Sequence, residues 1–182
     1  MNIVILGPPG SGKSTQAELL EKALSLPHLS TGDLFRQVSR QKTPLGRKIK
    51  RILERGGLVA DQEAIALISQ ELAKKKYKKG VILDGCPRSL KQAQNLKISL
   101  DKVFYLRVGD QEGVKRLLLR GRRGETERVI KRRLLLYHQE TEPILDFYRK
   151  KGILVEIDGE RSITEIHHEI LQKLSPQTGD SS

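Results

Sequence analysis

A chain of 182 residues that is 37% hydrophobic and 31% charged has the length and composition of one soluble domain with a buried core. Its apolar runs are too short to cross a membrane, and its single cysteine excludes an intrachain disulfide and a four-cysteine zinc site. The net charge of +12 fits an anionic partner, and nucleic acid is the first one to weigh.

Short apolar runs alternate with amphipathic stretches along the chain. Strands are predicted over residues 3–6, 81–83, 103–108 and 153–157, with a weaker one over 28–30. Helices are predicted over residues 14–24, 31–41, 45–55, 61–74, 89–96, 111–119, 127–150 and 163–174. This alternation predicts an α/β fold, in which a parallel β-sheet carries helices on both faces and ligands bind at the carboxyl ends of the strands.

The two ends of the chain add an expectation each. The first strand begins at residue 3, which leaves no room for the charged and hydrophobic regions of a secretory signal. Together with the lone cysteine, this predicts a cytoplasmic protein. Residues 175–182 have no apolar side chain to anchor them and are predicted to form a flexible tail.

The segment after the first predicted strand has the spacing of a phosphate-binding loop. Gly7, Gly12, Lys13 and Ser14 form the pattern Gly-x-x-x-x-Gly-Lys-Ser between a strand and a helix, and Gly10 lies within it. The glycines allow successive backbone N–H groups to converge on phosphate oxygens. The pattern predicts that Lys13 reaches the β- and γ-phosphates of a nucleotide and that the Ser14 hydroxyl binds Mg²⁺. A turn without a ligand is the alternative, which the complete spacing disfavours.

A second group of polar residues follows the strand predicted over residues 81–83. Asp84 stands at the end of that strand, where a carboxylate can hold Mg²⁺ or its waters beside the phosphate loop. Arg88 follows a proline and offers a planar guanidinium group that suits two phosphate oxygens. The alternative is a local ion pair between Asp84 and Arg88 on the protein surface.

Lysine runs at residues 74–76 and 78–79 raise the question of nucleic-acid binding. They fall between a predicted helix and a predicted strand, where solvated charge is the ordinary expectation. Aromatic residues make up only 4% of the chain and tryptophan is absent, so the stacking surfaces that single-strand binders use are scarce. We therefore expect no nucleic-acid partner.

Four separated motifs resemble those of the adenylate kinases in order and spacing. They are residues 7–16, Ser30 to Arg36, Gly57-Leu58-Val59, and residues 84–93. The resemblance covers residues 1–174 and implies a single phosphate-loop kinase core. Within that core it implies an insertion over residues 30–59 that binds a nucleoside monophosphate, and a short lid over residues 121–132.

The resemblance also implies a role for each matching residue. The ATP-binding positions are Gly10, Ser11, Gly12, Lys13, Ser14, Thr15, Arg116, Arg120 and Arg161. The AMP-binding positions are Thr31, Arg36, Gly57, Leu58, Val59, Gly85, Arg88, Gln92, Arg122 and Arg133. The catalytic positions are Lys13, Arg88, Arg122 and Arg133, and the Mg²⁺ positions are Ser14 and Asp84, partly through water. Thr31 and Gln92 stand where adenylate kinases usually have threonine and an amide, which points to AMP as the acceptor. An amide can both donate to and accept from the edge of adenine.

The implied activity is phosphoryl transfer from Mg-ATP to AMP, giving two ADP, with no zinc. Eight of the implied positions are cationic, which explains much of the positive charge without nucleic acid. Such a transfer needs positioning and electrostatic stabilisation, with no covalent intermediate and no general base.

No heptad seam is evident, so a monomer is expected. The alternative from another class is a nucleotide-controlled binding protein that uses its basic surface for RNA.

The predicted lid departs from the family pattern. It is shorter than other short lids, and Gly124-Glu125 stands in place of the usual Asp-Asp pair, so the resemblance does not establish internal salt bridges in this lid. Arg122 and Arg133 keep the family's separation of 11 positions. Cys86 replaces a usual phenylalanine and is predicted to be a small buried side chain.

Overall fold

The computed structural model describes residues 1–122 and 124–175. Five strands lie within them: β1 (Asn2–Leu6), β2 (His28–Ser30), β3 (Val81–Asp84), β4 (Lys102–Arg107) and β5 (Leu154–Asp158). They form one parallel sheet in the order β2-β3-β1-β4-β5. All five predicted strands are confirmed, including the weak one. β1 is the central strand, and its carboxyl end therefore lies between those of β3 and β4.

Helices alternate with these strands as the sequence predicts. They are α1 (Lys13–Leu24), α2 (Thr31–Ser39), α3 (Pro44–Glu54), α4 (Asp61–Leu72), α5 (Leu90–Asn95), α6 (Asp110–Arg120), α7 (Glu127–Leu136), α8 (Ile144–Lys150) and α9 (Ile163–Leu174). Local capping explains where several of them start. At α9, the Ser162 hydroxyl accepts from the Glu165 N–H at 3.3 Å and the Glu165 carboxylate accepts from the Ser162 N–H at 3.0 Å.

The side chains of the sheet alternate between two apolar cores. Ile3 and Ile5 pack with residues of α1 and α9 on one face. Val4 and Leu6 pack with residues of α2, α3, α4 and α8 on the other face. Because successive side chains of a strand point to opposite faces, both faces of the sheet must be covered by helices. The predicted fold class, a phosphate-loop parallel sheet with helices on both faces, is confirmed.

One predicted helix is wrong in its extent. Residues 127–150 form α7 and α8, separated by a single π-helical turn over Tyr137–Thr141. In this turn the Glu142 N–H donates to the Tyr137 carbonyl at 2.9 Å, an i→i+5 bond. Pro143 has no N–H to continue the α-helical ladder, and its ring crowds the preceding turn. The interruption therefore has a local cause, which the apolar periodicity did not reveal.

The insertion predicted over residues 30–59 contains α2, α3 and the loop that leads to α4. Thr43 caps α3 by accepting a hydrogen bond from the Gly46 N–H at 3.0 Å. A Cβ at Gly46 would lie 2.4 Å from the Gln41 carbonyl oxygen. The close connection between α2 and α3 therefore requires glycine at this position.

The predicted lid spans the connection after α6 and the first part of α7. Leu117 of α6 packs against Ile130 and Leu134 of α7 in a small apolar cluster. Arg123, and the predicted tail apart from Ser175, lie outside the described residues.

Among the helices that the structure describes, not one has the length and apolar character that a membrane crossing requires. Cys86 is 2% exposed, as predicted, and burial raises the pKa of its thiol to about 12.

Candidate active site

The phosphate loop connects the carboxyl end of β1 to the first turn of α1. Gly12 has φ +88° and is the residue immediately before the helix, where the N–H groups of the first turn have no partner within the helix. Gly10 has φ +86°, and a Cβ there would lie 2.3 Å from the Gly113 carbonyl oxygen of α6. Both positions therefore need glycine. The loop presents N–H groups at a helix N-terminus, an arrangement that binds phosphate.

Lys13 is held inside this loop. Its Nζ donates to the carbonyl oxygens of Gly7 and Pro8, both at 2.8 Å, and to Ser11 Oγ at 3.2 Å. Burial lowers the pKa of the ammonium group to about 8, although the charge of Asp84 acts in the opposite direction. The loop therefore contains a cation whose charge depends on pH just above neutrality.

Ser14 and Asp84 meet at the carboxyl ends of the central strands. Ser14 Oγ donates to Asp84 Oδ2 at 2.6 Å, and His28 Nε2 lies 3.8 Å from the same oxygen. Burial by itself would raise the pKa of Asp84, but His28, the charge of Lys13 and the Ser14 hydroxyl together hold that pKa below its usual range. Asp84 is therefore an ionised carboxylate beside a hydroxyl group, and these are oxygen ligands of the kind that Mg²⁺ prefers.

These residues line a cleft of about 570 Å³. All eight cations that the sequence assigned to a nucleotide site line it: Lys13, Arg36, Arg88, Arg116, Arg120, Arg122, Arg133 and Arg161. The charged lining also includes two carboxylates, Asp84 and Glu125. A cleft with this excess of cations concentrates positive potential and suits a polyanionic ligand.

Arg88 is a half-buried cation that lines the cleft. Its Nε donates to the Gly85 carbonyl at 2.7 Å, and its own carbonyl accepts from the Thr141 hydroxyl at 2.9 Å. Burial lowers the pKa of its guanidinium group. Within the described chain no ion pair within 4 Å joins Arg88 to Asp84, so the alternative of a local surface pair between them is not supported.

Glu125 links two arginines of the cleft. Its carboxylate accepts from Arg120 at 2.6 Å and from Arg133 at 2.5 Å, and its side chain is only 3% exposed. These hydrogen bonds hold the pKa of Glu125 below its usual range against the opposing effect of burial. The chain therefore forms internal ion pairs here with one carboxylate where the family pattern has an Asp-Asp pair, a question that the resemblance leaves open.

Three other cations at the rim have partners of their own. Arg116 Nη1 donates to the Gly159 carbonyl at 2.9 Å, and its Nε pairs with a glutamate one turn earlier in α6. Arg36 pairs with Asp33 at 2.5 Å within α2. Arg161 pairs with a glutamate of α9. Each guanidinium is thus oriented by the protein before a ligand enters.

Three predicted positions do not line the cleft: Thr31, Val59 and Gln92. Thr31 is fully buried, and its hydroxyl donates to the Asp84 carbonyl at 3.1 Å. Val59 belongs to the apolar core. Gln92 is 5% exposed, and its side-chain oxygen accepts from the Arg88 N–H at 2.9 Å. The other predicted positions do line the cleft: Gly10, Ser11, Gly12, Ser14, Thr15, Gly57, Leu58 and Gly85.

Sequence reasoning missed some residues of the cleft. Tyr137 and Thr141 line it from the π-helical turn, and the continuous helix predicted there gave no reason to single them out. Pro143 was the available signal, since a proline in a helical pattern marks an interruption. The sequence marks Glu125 only as a departure from the family pattern.

The fold and the cleft together define a class of protein, the phosphate-loop phosphotransferases that bind nucleotides at the carboxyl ends of a parallel sheet. Residues 5–153 match the family model for adenylate kinase. The chain belongs to the adenylate kinase family. It is thus a phosphotransferase, as the resemblance of its motifs implied.

Bacterial relatives are similar to this chain over nearly its whole length. It is 42% identical over 175 residues to adenylate kinase 1 of Nostoc sp. (strain PCC 7120), which covers 92% of this chain and 95% of that protein. It is 44% identical over 181 residues to the adenylate kinase of Mycobacterium sp. (strain MCS), covering 96% and 99%. With the adenylate kinase of Nocardia farcinica the identity is 40% over 181 residues, covering 96% and 99%.

Proposed function

We propose that this chain transfers the γ-phosphoryl group of Mg-ATP to AMP, forming two ADP, and catalyses the reverse reaction. The observation that carries this proposal is the convergence of eight cationic side chains and a phosphate loop on one cleft. Two nucleotides facing each other bring many negative charges, and this lining is suited to neutralise them. Membership of the adenylate kinase family supports the same reaction.

The donor nucleotide would occupy the side of the cleft formed by α1, α6 and the start of α9. The phosphate loop and Lys13 would hold its phosphates, and Arg116, Arg120 and Arg161 would lie along the rest of it. The position of these arginines in the lining supports the assignment.

The acceptor would occupy the side formed by the 30–59 insertion and the turn after β3. Arg36, Arg88, Gly57 and Leu58 lie in the lining there. Thr31 and Gln92, the buried acceptor positions, do not line the cleft but lie against residues that do. A Cβ at Gly85 would lie 2.8 Å from Thr31 Oγ1, and Gln92 is hydrogen-bonded to Arg88.

The mechanism needs no covalent intermediate. An oxygen of the AMP phosphate, already ionised at neutral pH, attacks the γ-phosphorus of ATP in line, and ADP leaves. Lys13, Arg88, Arg122 and Arg133 stabilise the charge that spreads over the transferred group, and no side chain acts as general base. We further propose that residues 30–59 and 121–132 close over the nucleotides, because closure excludes the water that would otherwise attack ATP.

Mg²⁺ would be held by Ser14 and Asp84, partly through water. The ionised Asp84 carboxylate and the adjacent hydroxyl fit this ion, which is usually bound by one or two carboxylates together with substrate phosphates and water. When bound with ATP, Mg²⁺ would offset phosphate charge.

We also propose that the protein acts as a monomer in the cytoplasm and has no nucleic-acid partner. A single buried cysteine is compatible with a reducing compartment. The cations of the cleft account for much of the net charge without a nucleic-acid partner.

The reaction can be tested by a coupled assay of ADP formation. ATP is supplied with AMP, and UMP, CMP and GMP are run in parallel. We expect turnover that depends on Mg²⁺ and is fastest with AMP. Absence of ADP formation, combined with an RNA affinity that changes with nucleotide and falls steeply with salt, would instead favour the RNA-binding alternative.

A further inference from the structure

A hydrogen-bond network behind the cleft fixes the orientation of the Gln92 side chain. Asp61 lies at the start of α4, and its Oδ1 accepts from Gln92 Nε2 at 2.9 Å and from Ser89 Oγ at 2.7 Å. At the other end of the same amide, Gln92 Oε1 accepts from the Arg88 N–H at 2.9 Å. A carboxylate only accepts and a backbone N–H only donates, so both partners require the same orientation of the amide.

The network leaves half of the amide free to recognise a ligand. A primary amide has two N–H donors and two acceptor lone pairs. Asp61 takes one donor and the Arg88 N–H takes one lone pair. One N–H and one lone pair remain, and together they can serve the edge of a base that offers one donor and one acceptor.

The remaining N–H and lone pair match one kind of purine. Adenine offers a donor at its 6-amino group and an acceptor at N1, and a fixed amide can meet both at once. Hypoxanthine and guanine have the opposite order, with an acceptor at the 6-oxo group and a donor at N1. To pair with them, the amide would have to reverse and place its oxygen against the Asp61 carboxylate.

We propose that Asp61 is a specificity-determining positioning residue, which makes the acceptor site selective for 6-aminopurine over 6-oxopurine monophosphates by locking the Gln92 amide. The inference rests on the proposed function, in which Gln92 reads the acceptor base. Asp61 acts through Gln92 and does not touch the reacting phosphates. Its effect is on the ratio of kcat/KM for the two kinds of substrate, because a specificity is a difference between two binding free energies.

The test compares AMP with IMP, which differ only in the edge described above. Asp61→Asn keeps the size of the side chain but allows it to donate as well as accept, so a reversed Gln92 amide regains a partner. We expect the ratio of kcat/KM for AMP to that for IMP to fall about tenfold, the range of one hydrogen-bond mismatch near a charged group. Asp61→Ser, which also removes the obligate acceptor, is the second variant if the first does not fold.

Glu63→Gln is the matched control. Glu63 also lies in the first turn of α4 and pairs with Lys48 at 2.5 Å, so this variant removes a negative charge from the same turn without contacting Gln92. Its AMP to IMP ratio should equal that of the wild type. The inhibition constant of IMP against AMP should fall in Asp61→Asn only, which reports binding separately from turnover.

Three results would bear on the inference. A wild-type chain with no activity on AMP would overturn the proposed function itself. An active, AMP-selective wild type whose ratio is unchanged in Asp61→Asn and Asp61→Ser would overturn the inference alone. An equal loss of selectivity in Glu63→Gln would also overturn it. The effect would then come from negative charge in the first turn of α4 and not from the orientation of the Gln92 amide.

Discussion

Glu125 accepts a hydrogen bond from Arg133 at 2.5 Å across the connection between α6 and α7, and the same carboxylate accepts from Arg120. Two guanidinium groups so close would repel each other without it. The carboxylate therefore sets the distance between a residue of α6 and a residue of α7 in the cleft. Its side chain is 3% exposed, whereas Arg120 and Arg133 are 44% and 30% exposed, so water screens these ion pairs in part.

Glu125→Gln should weaken both the fold and the reaction. An amide has a single acceptor oxygen, with an NH2 donor in place of the second carboxylate oxygen, and it carries no charge, so the free energy of unfolding should fall by about 1–2 kcal/mol. Turnover should fall about tenfold, because Arg133 loses its orientation. Denaturant unfolding and the coupled assay measure the two effects. Glu127→Gln is the control, since its pair with Lys131 at 2.7 Å is exposed and should contribute little.

Arg88→Ala should abolish most of the activity with little change in KM for ATP. Removal of a donor to developing charge typically lowers turnover by about 10²–10³. Arg47→Ala, at an exposed arginine of α3, is the control and should keep wild-type turnover. If the two variants had equal activity, Arg88 would not contact the transferred group.

Nucleotide binding should take up a proton through Lys13. The pKa of this group is lowered to about 8 in the folded protein, so at pH 8 about half of the molecules carry it uncharged. The phosphates of ATP favour the charged form, and binding should therefore draw about half a proton from the buffer. Calorimetry in two buffers of different ionisation enthalpy measures this uptake.

Lys13→Met should lose that proton uptake, while Lys22→Met, at a lysine in the last turn of α1, should keep it. At pH 6.5 the wild type should take up much less, because Lys13 is then already charged. A proton uptake that is the same at both pH values would show that another group is responsible.

His138 should make the stability depend on pH. Its Nδ1 lies 2.7 Å from Glu142 and its Nε2 lies 3.0 Å from Asp110, so the π-helical turn is tied to the start of α6. Only the imidazolium can donate to both carboxylates, since a neutral ring has a single N–H. The hydrogen bond to Glu142, and then that to Asp110, raise the pKa of His138 in the folded state.

Because the folded pKa is raised, the stabilisation is fully present below the pKa of the unfolded chain and is lost as the pH rises through the folded value. The difference in melting temperature between wild type and His138→Gln should therefore be largest near pH 5.5 and shrink toward pH 8.5. His168→Gln, at an exposed histidine of α9, is the control variant. A His138 difference that grew with pH would contradict the assignment.

Local patterns account for the parts of the cleft that are continuous in the sequence. The phosphate loop is a run of neighbouring residues whose glycines and helix start are visible in the spacing, and the structure has Gly12 at +88° before α1 as that pattern requires. The end of a strand can also be predicted from neighbouring residues, since an apolar run stops at a polar residue such as Asp84. The turn over Tyr137–Thr141 was missed because it is set by one proline inside an otherwise regular helical pattern.

The relation between Gln92 and Asp61 shows what a pattern cannot supply. The family resemblance assigned Gln92 to the acceptor base, but the amide lies behind the cleft lining and is held by Asp61, 31 positions earlier in the chain. No spacing rule links the first turn of α4 to α5. Their contact exists because both helices pack on the same face of the sheet, where Ala64, Ile68 and Ala93 share one apolar core.

The sequence by itself determined the phosphate loop, the parallel sheet, the class of reaction and the residues that carry charge, because each of these depends on residue type at short spacing. Only the tertiary structure decided which charges meet. Lys13, Arg88, Arg133 and Arg161 are far apart in the chain, and they converge because parallel strands place their carboxyl ends along one edge of the sheet. Distances, burial and shared hydrogen bonds arise from that packing, and they set the pKa of Lys13 and the orientation of Gln92.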